Sequence, residues 1–183
     1  MPETVHLHDK EFEVFLEEKE ILAQITSISK QINENFKHNE PVFLIVLKGA
    51  FMFGSELVSR YKGQCHLGFV NIRSYEGMQS TGNVQVSGLD PETVKGKPVI
   101  VIEDIIDSGR TMNKFLPILK DMDPSSVEIA TLLSKPEAMQ FHVDVAYSCF
   151  EIPDDFVVGF GLDYDGLGRN LRDIYQLVPE SEV

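Results

Sequence analysis

The sequence predicts an α/β domain with a mostly parallel central sheet flanked by helices. Two kinds of segment alternate along the chain: short runs in which every residue is apolar, and longer stretches in which apolar residues recur every three or four positions. A run that is apolar throughout is typical of an interior strand covered on both faces, whereas the longer spacing is typical of an amphipathic helix. Strands that alternate with helices in this way favour a parallel sheet.

The first elements follow this alternation. Four isoleucines at spacings of four, three and four predict one face of a helix: Ile21, Ile25, Ile28 and Ile32. Residues 42–47 read VFLIVL and predict an interior strand that ends at a Lys-Gly pair. Residues 50–61 then predict a second helix, with apolar side chains along one side.

A polar loop comes directly after the next strand. Residues 67–72 predict the strand, and residues 73–83 read RSYEGMQSTGN, with little to bury. We expect residues 74–83 to be mobile in the empty protein and to close as a lid over a bound ligand, although an ordinary surface hairpin is the alternative.

The second half of the chain repeats the strand-and-helix pattern. Residues 99–102 read VIVI and predict another interior strand, followed by a turn and a helix over residues 112–122. Residues 127–133 and 143–150 predict two further strands. Because ligands of such sheets bind beyond the carboxyl ends of the strands, the residues just after each apolar run are the candidates for a functional site.

Length and charge restrict the possible functions. The 183 residues fit one domain, and 29 acidic against 16 basic residues give a formal charge of -13. A surface this acidic repels phosphate backbones, so we expect neither nucleic-acid binding nor binding to an acidic membrane. The chain has no apolar stretch of the roughly 20 residues that span a bilayer and its start does not resemble a signal peptide, so we expect a cytoplasmic protein.

The two cysteines, Cys65 and Cys149, lie far apart in the chain and fit neither a disulfide framework nor a zinc pattern. We expect both to be reduced, buried small side chains.

The strongest chemical signal comes after the VIVI strand, where residues 103–111 read EDIIDSGRT. Glu103 and Asp104 end a buried strand, and buried carboxylates need a partner such as sugar hydroxyls or a hydrated cation. The Asp-Ser-Gly-Arg-Thr turn after them lets backbone N–H groups point at one spot beside a helix N-terminus, which favours a phosphate. Carboxylates beside a phosphate cup suit a ribose 5-phosphate. The alternative is that Asp107 or Ser108 simply caps the next helix.

This segment closely resembles the phosphoribosyl-pyrophosphate signature of the type I phosphoribosyltransferases. Three further segments are similar to hypoxanthine-guanine phosphoribosyltransferases: VLKGA at residues 46–50, SY followed by QSTG at 74–82, and LSKP at 133–136. EIPDDFVVG at residues 151–159 and LDY at 162–164 add to the resemblance, which runs from about residue 12 to residue 175. The chain departs from many of these relatives at residues 165–168, Asp-Gly-Leu-Gly.

The resemblance implies a Rossmann-like type I phosphoribosyltransferase fold in one domain, residues 1–183. Its core would cover about residues 17–150, and a small hood would be built from the chain ends, about residues 1–16 and 151–183. It also implies a Mg²⁺-dependent transfer of a phosphoribosyl group from phosphoribosyl pyrophosphate to a 6-oxopurine, and a homodimer or homotetramer.

The roles of individual residues are likewise implied by the resemblance. Asp107 is the expected general base, with a helix cap as its alternative role. Asp163 is the expected Mg²⁺ ligand, with Glu103 and Asp104 holding the ribose diol and metal-bound water. The remaining expected substrate contacts are these: Lys48, Gly49, Ser74, Tyr75 and Arg169 at the pyrophosphate; Ser108, Gly109, Arg110 and Thr111 at the phosphate; Lys135, Phe156 and Val157 at the purine. Lys48 is also expected to follow an unusual cis peptide bond.

Three alternatives stay open at this point: a phosphoribosyltransferase for another base such as adenine, a nucleic-acid-binding regulator with the same fold, and a pure binding module. The sequence does not rank hypoxanthine, guanine and xanthine as substrates.

Overall fold

The computed structural model describes residues 3–74 and 84–179. Along the chain its elements are β1 (Thr4–Leu7), β2 (Lys10–Leu16), α1 (Glu18–Asn35), β3 (Val42–Leu47), α2 (Phe51–Val58), β4 (His66–Ser74), β5 (Val84–Ser87), α3 (Pro91–Val94), β6 (Pro98–Ile106), α4 (Arg110–Lys120), β7 (Ser126–Ser134), β8 (Tyr147–Glu151), β9 (Val157–Val158) and β10 (Ile174–Leu177).

The central sheet has six strands in the order β5-β4-β3-β6-β7-β8. All neighbours pair in parallel except β5, which runs antiparallel to β4 at the edge. The predicted mostly parallel sheet is therefore confirmed. Its carboxyl ends bring the ends of β3, β6 and β7 to one edge, where the candidate residues lie.

Helices cover both faces of this sheet, which explains why its inner strands are apolar throughout. Phe43 and Ile100 belong to the core cluster that contains the buried isoleucines of α1. Their neighbours Val42 and Val99 belong to the opposite cluster, which contains Phe115 of α4. Since successive side chains of a strand point to opposite faces, both faces of β3 and β6 require apolar residues.

A second, antiparallel sheet is formed by the two ends of the chain, in the order β1-β2-β10-β9. It corresponds to the expected hood. The hood has its own small core of Phe12, Val158 and Tyr175. In the described ranges, no helix is long and apolar enough to cross a membrane.

Several element boundaries differ from the predicted ones. Strand β6 does not end at Ile102 but continues to Ile106, because β7 keeps pairing with it beyond Glu103. The predicted strand at residues 143–150 begins only at Tyr147, since Val143 packs into the core cluster of α4 instead of pairing. Strand β5 was not predicted, and β4 runs on through the expected start of the loop.

Candidate active site

The carboxyl end of β6 and the start of α4 enclose a pocket of about 210 Å³. Its lining consists of Glu103 and residues 105–112, so the predicted Glu-Asp to Thr turn is the wall of a cavity. The position agrees with the rule that ligands of parallel sheets bind beyond the carboxyl ends of the strands.

The turn before α4 offers backbone donors to this pocket. Gly109 is the N-cap residue of α4 and has a φ of 75°. A Cβ built on it would collide with the Phe141 carbonyl, so the close approach requires glycine. Gly109 has no side chain to cap the helix, so neither Asp107 nor Ser108 is the N-cap residue. The first N–H groups of α4 are thus suited to an anion.

The residues after Gly109 are divided between the pocket and the neighbouring loop. Thr111 lines the pocket and starts the first turn of α4. The Arg110 backbone also lines it, but its guanidinium lies 3.4 Å from Gln140 Oε1 and 6.0 Å from the centre of the Phe141 ring. The Ser108 carbonyl accepts hydrogen bonds from the N–H groups of Gln140 and Phe141, both at 3.0 Å, which fixes the turn to this loop.

The acidic pair is buried and electrostatically costly. Glu103 is buried, and its Oε2 has no hydrogen-bond partner among the described residues. Burial, together with the neighbouring Asp104, raises the pKa of Glu103 well above its usual range. Burial also raises the pKa of Asp104 to about 6, although its Oδ1 accepts the Ile105 N–H at 3.0 Å. Such a pair suits a site that receives hydroxyls or a cation.

The acidic pair touches the turn after β3. A Cβ on Gly49 would collide with the Asp104 carboxylate, so only glycine allows the two strand ends to approach this closely. The Leu47–Lys48 peptide bond is cis, as expected. The Gly49 carbonyl in turn lies against Gly161 of the hood, where a Cβ would collide with it. Lys48 and Gly49 therefore lie where the core meets the hood.

Lys135 lies at the end of β7 with only 6% of its surface exposed. Its Nζ is 3.1 Å from Asp154 Oδ1 and 3.6 Å from Asp107 Oδ2. Its backbone N–H donates to the Ile106 carbonyl at 2.8 Å, which ties it to the end of β6. An ammonium donor and a carboxylate acceptor thus stand side by side at the mouth of the pocket.

The hood contributes an aromatic surface. Phe156 is 47% exposed, and its ring centre lies 5.8 Å from Tyr164 in an edge-to-face arrangement and 6.2 Å from Phe12. An aromatic side chain that is held at its edge and left half exposed can stack on a flat ligand.

Val157 belongs to the edge strand of the hood, where one row of backbone groups is left unpaired. The Leu177 N–H donates to the Phe156 carbonyl, and Val157 opposes Gln176. Because hydrogen-bonded and non-hydrogen-bonded pairs alternate along an antiparallel ladder, the N–H and C=O of Val157 point away from β10. They are oriented to serve as a donor and an acceptor for a ligand.

Asp163 and Arg169 form an ion pair, with Asp163 Oδ1 2.5 Å from Arg169 Nη2. Asp163 Oδ2 also accepts the Gly166 N–H at 2.7 Å, and Arg169 Nη1 donates to the Gly161 carbonyl at 2.7 Å. Both charges act on Asp104, whose pKa Arg169 lowers and Asp163 raises. The hood thus places one cation and one carboxylate close to the acidic pair.

The donor set fits Mg²⁺ only in part. Within residues 3–74 and 84–179, no three His, Cys, Asp or Glu side chains are grouped to hold a metal ion by themselves. Mg²⁺ is commonly held by one or two carboxylates together with substrate oxygens and water, and Asp163 and the acidic pair could supply the protein share.

The structure brings most of the predicted residues to one edge of the molecule. Two residues are exceptions: Tyr75, with the rest of the expected lid (75–83), lies outside the described residues, and Ser74 is described only as the backbone end of β4. Sequence reasoning missed Asp154, the nearest carboxylate to Lys135. It lies inside the segment quoted for the resemblance, but no spacing rule links an exposed aspartate to a lysine in a different strand.

Comparison with known proteins agrees with this geometry. Residues 13–165 match the model of the phosphoribosyl transferase domain family, so fold and site are those of a phosphoribosyltransferase. The chain is 38% identical over 169 residues to the hypoxanthine phosphoribosyltransferase of Escherichia coli K12, covering 91% of this chain and 95% of that protein.

Solved structures give the same result. A Staphylococcus aureus hypoxanthine phosphoribosyltransferase is 36% identical, with a TM-score of 0.86 and 92% of each chain covered. The Trypanosoma cruzi enzyme, solved as a ternary substrate complex, is 31% identical, with a TM-score of 0.86 and coverage of 95% and 98%. The chain therefore belongs to the phosphoribosyltransferase family and, within it, to the hypoxanthine and hypoxanthine-guanine phosphoribosyltransferases.

Proposed function

We propose that this protein transfers the 5-phosphoribosyl group of phosphoribosyl pyrophosphate to a 6-oxopurine, releasing pyrophosphate. Hypoxanthine would give IMP and guanine would give GMP, which is a purine salvage reaction. The observation that carries the proposal is the 3.6 Å separation of the Lys135 ammonium and the Asp107 carboxylate. A 6-oxopurine presents an acceptor, O6, and an ionisable ring nitrogen, N7, on the same edge, which complement this donor and this acceptor.

The phosphoribosyl group would bind along the turn that lines the pocket. The N–H groups of Gly109, Arg110 and Thr111, with the hydroxyls of Ser108 and Thr111, would hold the 5-phosphate at the N-terminus of α4. Glu103 and Asp104 would accept hydrogen bonds from the two ribose hydroxyls. This binding would give the unpaired Glu103 oxygen the partner that it lacks among the described residues.

The pyrophosphate would lie between core and hood. Lys48 and Gly49 would offer backbone and charge from one side, and Arg169 would approach from the other. Mg²⁺, held through Asp163 and the acidic pair, would neutralise part of the pyrophosphate charge when bound. Since Arg169 pairs with Asp163, ligand binding would exchange this ion pair for contacts with the pyrophosphate and the metal.

The purine would be held between Lys135 and the hood. Lys135 would donate to O6, Phe156 would stack on one face of the ring, and the backbone of Val157 would contact its edge. As N9 forms its bond to the ribose C1, the C1–oxygen bond to pyrophosphate breaks and the N7 proton passes to Asp107. Fixed charges around the developing ribosyl cation would stabilise the transition state.

Division into a core of about residues 17–150 and a hood from the chain ends, and assembly as a homodimer or homotetramer, are part of the same proposal.

The experiment is an assay of the purified protein with phosphoribosyl pyrophosphate, Mg²⁺ and one purine at a time. Nucleotide is detected by chromatography after incubation with hypoxanthine, guanine, xanthine or adenine. We expect nucleotide from hypoxanthine or guanine and none from adenine. Nucleotide from adenine alone would replace the proposal with an adenine-specific enzyme, and binding of phosphoribosyl pyrophosphate without any product would replace it with a binding module.

A further inference from the structure

Lys135 has two carboxylate partners, and only one of them is needed for the reaction. Asp107 lies 3.6 Å from the ammonium, whereas Asp154 lies closer, at 3.1 Å, and accepts a hydrogen bond from it. An ammonium has three donors, so Lys135 can keep Asp154 as a partner while it donates to a ligand.

The Asp154 contact is not explained by stability. Its side chain is 66% exposed, and an exposed carboxylate in an ion pair contributes little to the free energy of folding. Its position in the chain is more informative. Asp154 lies in the bend between β8 and β9, two residues before Phe156 and three before Val157, and so joins the floor of the purine site to the hood.

We propose that Asp154 is a positioning residue that holds the Lys135 ammonium away from Asp107 and aims it at the purine O6. The inference rests on the proposed function of the site. Asp154 and Asp107 lie on two sides of a nearly buried ammonium, so each limits how far the lysine can move towards the other.

Loss of the Asp154 charge has a defined consequence. The ammonium, which is buried and still needs a carboxylate, closes on Asp107 and forms a tighter ion pair with it. In that position it is poorly placed for O6, and Asp107 is less able to accept the N7 proton. Binding of the purine therefore weakens and turnover falls, while the phosphoribosyl end of the site is unaffected.

The test compares Asp154→Asn with Asp155→Asn. The two variants remove the same charge from adjacent residues, but only Asp154 lies within ion-pair distance of Lys135 among the described contacts. For Asp154→Asn we expect the KM for hypoxanthine to rise roughly 10-fold, with a lower kcat, because one charge-assisted hydrogen bond is lost. The KM for phosphoribosyl pyrophosphate and the melting temperature should stay unchanged. Asp155→Asn should match the parent, and Asp154→Glu should recover part of the loss.

Equal effects of Asp154→Asn and Asp155→Asn would overturn the proposal, as would an equal rise of both KM values in Asp154→Asn. A binding measurement separates this outcome from failure of the proposed function. By calorimetry, Asp154→Asn should weaken binding of IMP but not of ribose 5-phosphate, which lacks the base. If the parent bound IMP but formed none, the proposed reaction would be wrong, and this arm would still decide the role of Asp154.

Discussion

Lys135 and Asp107 are distant in the sequence, yet their charged groups lie 3.6 Å apart. Asp107 follows β6 and Lys135 follows β7, and these neighbouring strands pair in parallel up to Ile106 and Ser134. The topology therefore delivers a proton acceptor and a hydrogen-bond donor to the same edge of the sheet. The proposed chemistry depends on this pair.

Asp107→Asn should bind phosphoribosyl pyrophosphate normally and lose about 10²–10⁴-fold in turnover. Asparagine keeps the size of the side chain but cannot accept the purine N7 proton. Steady-state kinetics and equilibrium binding of phosphoribosyl pyrophosphate on the same preparation measure the two effects. Near-normal turnover would remove Asp107 from the role of general base.

Lys135→Gln should narrow the difference between hypoxanthine and adenine. An ammonium only donates, whereas an amide can also accept a hydrogen bond from the 6-amino group of adenine. We expect the ratio of kcat/KM values for the two bases to fall roughly 100-fold. The matched control is Lys135→Met, which should lose hypoxanthine without gaining adenine. If the ratio in Lys135→Gln equals that of the parent, Lys135 does not read the 6-position.

The fold was predictable to the extent that it depends on patterns in short segments. The apolar runs of β3 and β6 and the isoleucine face of α1 specified a parallel sheet with covered faces. Strand ends were less predictable: β6 passes through Glu103 and Asp104 because pairing with β7 continues, and no local pattern reports that.

The site was predictable where its residues are adjacent in the chain, as in the turn from Asp107 to Thr111. Contacts between distant segments were not. The approach of Gly49 to Asp104 and the Asp154 contact with Lys135 arise only when strand ends and hood come together. Roles assigned through the resemblance, such as that of Asp163, stay predictions until they are measured.

Asp104→Asn should stabilise the ligand-free protein at pH 8 while it weakens substrate binding. The pKa of Asp104 is raised from 3.8 to about 6, so the folded state resists its ionisation. This cost is absent below the ordinary value of 3.8, grows as the pH rises towards 6, and is complete above 6. We therefore expect the melting temperature of Asp104→Asn to exceed that of the parent by roughly 5 °C at pH 8, with a smaller gain at pH 5.

Calorimetry without ligand at the two pH values measures this difference. A gain that is the same at pH 5 and pH 8 would show that the ionisation of Asp104 is not its source. Asp155→Asn is the matched control for loss of one acidic charge and should show neither gain.

Cys65 should react with iodoacetamide at pH 8 before Cys149 does. Both thiols are free, but Cys65 is only partly buried, which corrects the expectation that both are fully buried. Burial raises the pKa of Cys149 to about 12, so very little reactive thiolate forms, and the pKa of Cys65 is raised by its partial burial. Peptide mass spectrometry over a time course measures the order, with protein unfolded in guanidinium as the control. Equal rates in the folded protein would contradict the packing around Cys149.

The most direct test of the proposed function is the stoichiometry of the reaction with hypoxanthine. Purified protein is mixed with phosphoribosyl pyrophosphate, hypoxanthine and Mg²⁺, and IMP and pyrophosphate are quantified together over time. We expect the two products in equal amounts, and no product once a chelator has removed Mg²⁺. Release of pyrophosphate with ribose 5-phosphate in place of IMP, or no consumption of phosphoribosyl pyrophosphate, would contradict the proposal.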